Sequence, residues 1–226
     1  MSEPIWIAIA IDGPAGAGKS TIAKRLAAEL HFVYVDTGAL YRTVGLAALR
    51  RGIDPTDVEG VASLLPSICV ELTYIDDTQR VLLDGEDVSE LIRTPEVSMA
   101  ASAVSAMPAV RKFLFHLQRE IASSHNVMMD GRDIGTVVLP HAQVKIFLSA
   151  SAEDRARRRY DEMLAKGMEA VYEDVLEDMK QRDYNDSHRA AAPLKPADDA
   201  IMVDTTGNTL EESIAMMKKL VEESLA

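Results

Sequence analysis

Apolar runs alternate with amphipathic patterns along most of the chain. Seven apolar residues at positions 5–11 predict a buried strand. Ile22, Leu26 and Leu30 then recur at every fourth position and predict a helix over 21–30. The same patterns predict further strands at 32–36, 127–130, 143–148 and 201–203, and further helices at 39–51, 95–106, 109–125, 151–166, 171–186 and 210–225. Strands separated by helices are typical of an α/β fold, here a parallel five-stranded sheet flanked by helices on both faces.

The pattern changes between residues 67 and 93. Residues 70–75 alternate apolar and polar, a second short strand follows at 80–83, and Asp76-Asp77 and Asp84-Gly85 are turn signals. This segment is predicted to be a small antiparallel β insertion within a single domain of residues 1–226. It is either a surface hairpin without a role at the site or a flap that covers a substrate. Just before it, Thr56 begins a capping-box pattern for a short helix toward residue 65.

Composition excludes several classes of protein. The chain of 226 residues carries a formal net charge of −12, which argues against a general binder of nucleic acid or anionic membranes. Its one cysteine, Cys69, cannot form an intrachain disulfide and is predicted to be a small buried side chain. No apolar run is long enough to span a membrane, and the first residues do not resemble a signal peptide. We therefore expect a cytoplasmic protein, and a monomer, because nothing in the sequence demands a partner.

A glycine-rich stretch lies between the first predicted strand and the first predicted helix. Its spacing is G-x-x-x-x-G-K-[ST], and it consists of Gly13, Pro14, Ala15, Gly16, Ala17, Gly18, Lys19 and Ser20. Backbone N–H groups of such a loop, together with the helix start, cradle the phosphates of a nucleotide. Lys19 is then expected to reach the β and γ phosphates, and the hydroxyl of Ser20, or that of Thr21, is expected to contact Mg²⁺. The alternative is a glycine-rich turn with a solvated lysine.

Carboxylates follow two of the predicted strands at their carboxyl ends. Asp36 ends the second strand and Asp130 ends the strand at 127–130. Ligands of parallel α/β sheets bind beyond the carboxyl ends of the strands, so both carboxylates are expected near the glycine-rich loop. The alternative for each is a turn or a helix cap.

Arginines are concentrated after the strand ends of this otherwise acidic chain. Arg155, Arg158 and Arg159 share one face of a predicted helix. The others are Arg42, Arg132, Arg182 and Arg189. Guanidinium groups suit bidentate contact with phosphate, so a second anionic substrate is expected beside the nucleotide. The alternative for the helical set is a solvated face paired with neighbouring acidic residues.

Five blocks together resemble the bacterial type of cytidylate kinase, a member of the nucleoside monophosphate kinase family, and the similarity runs nearly from end to end. The blocks are residues 11–20, 36–42, 130–138 and 144–148, and the stretch from Arg182 to Leu194. The resemblance implies a P-loop kinase that transfers the γ-phosphate of ATP to CMP or dCMP, with Mg²⁺. It also implies that the insertion lies on the acceptor side and that residues 151–168 form a helical lid.

The resemblance also implies a role for each matching residue. The ATP set is the loop from Gly13 to Thr21 with Arg155, Arg158 and Arg159 of the lid, and Mg²⁺ is held by Ser20 and, through water, by Asp130. By the same resemblance, the acceptor phosphate is held by Arg42, Arg132 and Arg189. The sugar is flanked by Tyr41, Arg182 and Asp186. The cytosine is read by Ser102, Arg111 and Asp133, and Thr37 completes the CMP set. Lys19, Arg132, Arg158 and Arg182 are the expected catalytic residues.

Two other functions stay open at this level. One is a P-loop kinase for a different small acceptor, such as shikimate or another nucleotide. The other is a nucleotide-dependent switch of the GTPase type. The switch is disfavoured because the sequence has no Asn-Lys-x-Asp stretch and because its Asp204–Gly207 segment comes too late in the chain.

Overall fold

The computed structural model describes residues 6–75 and 78–226. Its eight strands are β1 (Ala8–Asp12), β2 (Val33–Asp36), β3 (Val70–Ile75), β4 (Thr78–Leu83), β5 (Glu86–Asp87), β6 (Val127–Gly131), β7 (Val144–Ser149) and β8 (Ile201–Asp204). Its α-helices are α1 (Lys19–Leu30), α2 (Thr37–Arg50), α3 (Val58–Leu64), α4 (Pro95–Ser105), α5 (Pro108–Ala122), α6 (Ala152–Ala165), α7 (Tyr172–His188) and α8 (Leu210–Leu225).

Five strands form the predicted parallel sheet, in the order β2-β6-β1-β7-β8. The register aligns their carboxyl ends, with Asp36 opposite Asp130 and Asp12 opposite Gly131. Side chains of successive residues in β1 enter different cores. Ile9 and Ile11 pack with α1 and α8, whereas Ala10 packs toward β2 and the π-helical turn Ile134–Val138. The α/β prediction is therefore confirmed, and the sheet is buried on both faces.

The predicted insertion is a three-stranded antiparallel sheet in the order β3-β4-β5. Val81 and Leu83 of β4 pack into a core that it shares with α2, α3, α4 and α5. The inserted sheet also contacts the edge of the main sheet, because the hydroxyl of Tyr74 donates to the carbonyl of Tyr34 at 3.0 Å and the Gln79 side chain accepts from the backbone N–H of Asp36 at 2.9 Å. The limits of 67 and 93 stay a prediction, and the Asp76-Asp77 turn lies outside the described residues, as does Ile5 of the first predicted strand.

Two local predictions are wrong. Thr56 does not cap α3, because its N–H and hydroxyl both bond to Asp54 at 2.8 and 2.7 Å, and Asp57 caps the helix by accepting from the N–H of Gly60 at 3.0 Å. Cys69 is exposed. It immediately precedes β3 and follows the buried Ile68, and its main chain bonds to Asp84. Alternation along an extended segment therefore turns the thiol outward.

Over residues 6–75 and 78–226, no helix combines the length and apolarity needed to cross a membrane.

Candidate active site

A cleft of about 690 Å³ lies at the carboxyl ends of the main sheet. Most of the residues predicted from the sequence line it, and they come from the glycine-rich loop, α2, α4, α5, the turn after β6, α6 and α7. Gly13, Pro14 and Ala17 belong to the loop but do not line the cleft. Asp130 lines the cleft beside the loop, as predicted.

The glycine-rich loop joins β1 to α1. A Cβ at Gly13, whose φ is +150°, would lie 1.9 Å from the carbonyl oxygen of Leu148, so only glycine lets the loop start this close to β7. Gly18 precedes the first turn of α1 with a φ of +85°. Lys19 is buried, and its Nζ donates to the carbonyl of Pro14 at 2.7 Å, so the lysine closes the loop on itself. Burial and the charge of Arg132 lower the pKa of Lys19, and the carboxylates of Asp130, Asp12 and Asp186 oppose that shift.

Asp130 lies beneath the loop. Its carboxylate accepts from the Ser20 hydroxyl at 2.7 Å and from the Tyr34 hydroxyl at 2.8 Å. Its main-chain carbonyl accepts from the hydroxyl of Thr37 at 2.8 Å. Burial, followed by the charge of Asp36, raises the pKa of Asp130. The hydroxyl that donates to the Asp130 carboxylate belongs to Ser20 and not to its neighbour Thr21.

The oxygens of Ser20 and Asp130 fit a hard divalent cation, because Mg²⁺ takes hydroxyl and carboxylate oxygens and retains several waters. Among residues 6–75 and 78–226 there is no group of three or more His, Cys, Asp or Glu side chains that could hold a metal ion. The pair therefore suits an ion whose other ligands are phosphate oxygens and water.

Asp36 acts as a helix cap and as the partner of an arginine. One carboxylate oxygen accepts from the N–H of Ala39 at 2.9 Å and caps α2, and the other pairs with Arg42 at 2.7 Å. Both expectations for Asp36 are therefore met, because it is a cap and also lies at the edge of the cleft.

Three guanidinium groups of the cleft keep donors without acceptors in the described part of the chain. These donors are Nε of Arg42, Nε of Arg182 and Nη2 of Arg189, all of them buried. Burial, followed by the charge of Arg132, lowers the pKa of Arg182. Buried donors without partners are costly, and these three belong to side chains that line the cleft.

The remaining arginines at this end are oriented by carboxylates. Nε of Arg132 donates to Asp186 at 2.8 Å. Arg111 pairs with Asp133 and lies 5.8 Å from the centre of the Tyr41 ring. Burial raises the pKa of Asp133, and the charges of Arg111 and Arg189 oppose that shift.

Ser105 is a cleft residue that the sequence interpretation missed. It lies one turn after Ser102 in α4, its hydroxyl donates to the carbonyl of Ser102 at 2.9 Å, and it contacts Nη1 of Arg189 at 3.4 Å.

Three of the four arginines of α6 line the cleft, and they have different surroundings. Arg155 is buried, and its guanidinium donates to the carbonyl of Ala15 at 2.9 Å and pairs with Asp183. Arg158 donates to the carbonyl of Thr205 at 2.8 Å and pairs with Asp154 at 2.6 Å. Arg159 pairs with Glu162 at 3.1 Å on the surface. Helical spacing thus defines the shared face but does not identify the partner that each side chain meets, and the role of the three at the nucleotide stays a prediction.

Asp12 was also missed as a site residue. Its two carboxylate oxygens accept from the N–H groups of Ile134 and Gly135 at 2.8 and 2.7 Å. Burial raises its pKa to about 6, although these two hydrogen bonds lower it. Asp12 thus connects the end of β1, just before the loop, to the turn that carries Arg132 and Asp133. The signal for it was a carboxylate that ends an otherwise apolar strand.

The far end of the cleft is formed by the segment after β8. Asn208, Thr209, Leu210 and Ser213 line it. The sequence offered one sign of them, their position after the carboxyl end of a predicted parallel strand.

Known proteins resemble this chain in sequence and in fold. Curated cytidylate kinases from Carboxydothermus hydrogenoformans and Caldanaerobacter subterraneus are 52% and 51% identical to this chain, with 94% and 97% of the chain and 96% of each relative covered. A crystal structure of an uncharacterized protein from Eubacterium ventriosum shares the fold, with a TM-score of 0.55 at 13% identity over 97% of this chain and 99% of that one. Residues 9–223 match the family described as cytidylate kinase, and the chain belongs to that family.

Proposed function

We propose that this protein transfers the γ-phosphoryl group of ATP to CMP or dCMP and releases ADP with CDP or dCDP. One observation carries the proposal. A single cleft contains a phosphate-binding loop with its lysine at one side and, at the other, buried guanidinium donors without acceptors in the described residues. Such a cleft is suited to two anions that must approach each other. Family membership favours CMP over another small acceptor.

The acceptor phosphate is proposed to bind Arg42, Arg132 and Arg189. Nε of Arg42 has no acceptor among the described residues, and Nη2 of Arg189 makes no hydrogen bond to any of them and only approaches Asp133 to 3.5 Å, so both guanidinium groups would gain from an anion. Arg182, with its unpaired Nε, is proposed to contact the phosphoryl group in transit and the sugar. Asp186, Tyr41 and Thr37 would complete the sugar side.

Cytosine is proposed to bind between Arg111, Asp133 and Ser102. The exocyclic N4 of cytosine is a hydrogen-bond donor, which a carboxylate accepts, while its O2 and N3 accept from a guanidinium. Uracil has a carbonyl oxygen in place of the N4 amine. That oxygen and the Asp133 carboxylate are both acceptors, so they would repel each other. The pairing of Asp133 with Arg111 and its 3.5 Å approach to Arg189 hold this carboxylate in place.

The ATP phosphates are proposed to lie on the loop 13–21, with Lys19, Arg158 and Arg159 neutralising their charge. The far end of the cleft, lined by Asn208 and Leu210, would receive the adenosine part. A phosphate monoester has a second pKa near 6 and is mostly a dianion at neutral pH, so no general base is required. The catalytic residues Lys19, Arg132, Arg158 and Arg182 would then act by positioning and by stabilising charge in the transition state.

Mg²⁺ bound with ATP would supply further positive charge next to the phosphates, and Ser20 and, through water, Asp130 are the residues proposed to hold it. Residues 151–168 are proposed to act as a lid that excludes water from the transfer step, and residues 67–93 as the acceptor-side insertion. The monomeric state and the cytoplasmic location stay predictions.

An acceptor panel tests the function. Release of ADP from ATP and Mg²⁺ is measured with CMP, dCMP, UMP, AMP, GMP and shikimate. We expect stimulation by CMP or dCMP to exceed stimulation by the others, and a preference for shikimate or for another base would contradict the proposal. Asp133→Ala should then reduce the ratio of kcat/KM for CMP over UMP by roughly tenfold or more, because discrimination built on a buried hydrogen bond is lost with it. An unchanged ratio would remove Asp133 from base recognition.

A further inference from the structure

Arg155 occupies a position at which three parts of the site meet. It lies in the first turn of α6, its Cβ lies 3.4 Å from where a Cβ at Gly16 of the loop would be, and its ion-pair partner Asp183 belongs to α7. Loop, α6 and α7 therefore meet at one guanidinium. Met179 of α7 also touches this part of the loop, with its Cε 3.2 Å from the same point at Gly16.

The donors of Arg155 are almost fully used. Nε donates to the carbonyl of Ala150 at 2.8 Å, one Nη1 hydrogen goes to the carbonyl of Ala15 at 2.9 Å, and Asp183 accepts from both Nη1 and Nη2. Four of the five N–H groups of this guanidinium are thus engaged. The side chain is 4% exposed, whereas that of Arg159 on the same helix is 39% exposed.

We infer that Arg155 is a positioning residue for the phosphate loop and that Asp183 holds it in place. The guanidinium fixes the carbonyl of Ala15 and leaves the loop N–H groups directed into the cleft, and the two bonds to Asp183 set the plane of the guanidinium. The contact also ties the loop to α7, the helix that carries Arg182 and Asp186. This inference rests on the proposed function, because it takes the loop as the site of the ATP phosphates.

A direct phosphate contact by Arg155 makes the opposite prediction for one variant. If Arg155 were a phosphate ligand, Asp183→Asn would release its guanidinium from the ion pair, and affinity for ATP would stay the same or rise. If Arg155 positions the loop, the same change weakens ATP binding, because an amide nitrogen would face the Arg155 donors and the guanidinium would lose its orientation.

The experiment measures equilibrium binding of ADP and of CMP, separately, together with the KM for ATP, in wild-type protein and in Asp183→Asn. We expect affinity for ADP and the KM for ATP to worsen roughly tenfold, the size of losing one hydrogen bond to a charged group, with CMP affinity little changed. Arg155→Lys keeps the charge but not the fork of donors, so it should show the same pattern.

Glu86→Gln is the matched control, because Glu86 forms a two-point pair with Arg50 at 2.6 and 2.9 Å away from the cleft. It should leave both affinities unchanged. Unaltered or tighter ADP binding in Asp183→Asn would overturn the inference, and so would an equal loss for ADP and CMP, which would indicate a general disturbance of α7. Binding of ADP is read without turnover, so failure of wild-type protein to phosphorylate CMP would refute the proposed function without deciding this point.

Discussion

The two sides of the cleft are built from different atoms. On the loop side, the contacts lead back to the main chain: Lys19 donates to the carbonyl of Pro14, and Arg155 donates to that of Ala15. On the acceptor side the site consists of side chains, and Arg182 and Arg189 retain buried donors that no described residue accepts. The donors named on the loop side have acceptors within the protein, whereas the two named on the acceptor side have no hydrogen-bond acceptor among the described residues.

This difference has consequences for how each side tolerates change. A main-chain site depends on a few backbone conformations, such as the close approach of Gly13 to Leu148, and most of its side chains can be small. A side-chain site loses charge and hydrogen bonds with each arginine removed, and the carboxylate left behind is then buried without its partner. Substitutions should therefore impair binding at few positions on the loop side and at many positions on the acceptor side.

The largest effect is expected from Lys19→Met, because Lys19 is the one charged side chain of the loop 13–21 and is proposed to contact the transferred phosphate. We expect kcat to fall by roughly a hundredfold or more, the size seen when a preorganised charge-stabilising donor is removed. Steady-state kinetics and calorimetric titration of CMP measure the two quantities. CMP affinity should change little, because the hydrogen bond of Lys19 is made within the loop. A kcat within about tenfold of wild type would show that other groups on the loop side can replace this lysine.

A smaller effect, confined to the other side, is expected from Arg189→Ala. It removes donors for the acceptor phosphate and leaves Asp133 with Arg111 as its remaining cationic neighbour within salt-bridge distance. We expect the KM for CMP to rise by roughly tenfold to a hundredfold, as for loss of hydrogen bonds to a charged group, with the KM for ATP little changed.

Arg119→Ala is the control for Arg189→Ala. Its guanidinium bonds to the carbonyl of Val138 at 2.9 Å and stacks on the Phe115 ring at 4.1 Å, outside the cleft. It should alter thermal stability and leave both KM values unchanged. A rise of both KM values in Arg189→Ala would contradict the division of the cleft into two sides.

The same contrast explains how much of the site could be predicted from the sequence. The loop is a contiguous stretch whose spacing and flanking elements suffice to recognise it, and parallel strand ends bring Asp36 and Asp130 to one edge. The acceptor side draws its residues from helices and a turn spread over the chain. Their grouping was expected from resemblance, because the residue spacing alone does not determine which of them meet.

The shared helix face and the capping pattern both leave the partner of each side chain undecided. Arg155, Arg158 and Arg159 share a helix face, but Asp183 on α7 and Thr205 after β8 distinguish them, and both partners are distant in sequence. Likewise, the choice of Asp57 over Thr56 as the cap of α3 depended on Asp54, which engages Thr56 in a local turn. Asp54 lies only two residues from Thr56, so the spacing of a local pattern does not by itself decide between two neighbouring caps.

Asp12 connects the start of the loop to the turn that carries Arg132 and Asp133, and its removal tests how the two sides of the cleft are joined. Asp12→Asn would replace one accepting oxygen by an N–H donor that faces the N–H of Ile134 or Gly135, so the turn carrying Arg132 and Asp133 should loosen. The variant is expected to be less stable, and the stability difference from wild type should depend on pH, because Asp12 titrates and asparagine does not.

The sign of that dependence follows from the raised pKa. Asp12 has a folded-state pKa of about 6 because of burial, whereas the unfolded chain has one near 3.8. Between these values the folded protein holds a proton that the unfolded chain releases, so stability contributed at this position falls as pH rises from about 4 to about 6 and is constant above that range. The difference in unfolding free energy between wild type and Asp12→Asn should therefore narrow by about 3 kcal/mol across this window. Denaturant titrations at several pH values measure it. A difference that widened with rising pH would mean that the two N–H groups outweigh burial at Asp12 and hold its carboxylate ionised well below pH 6.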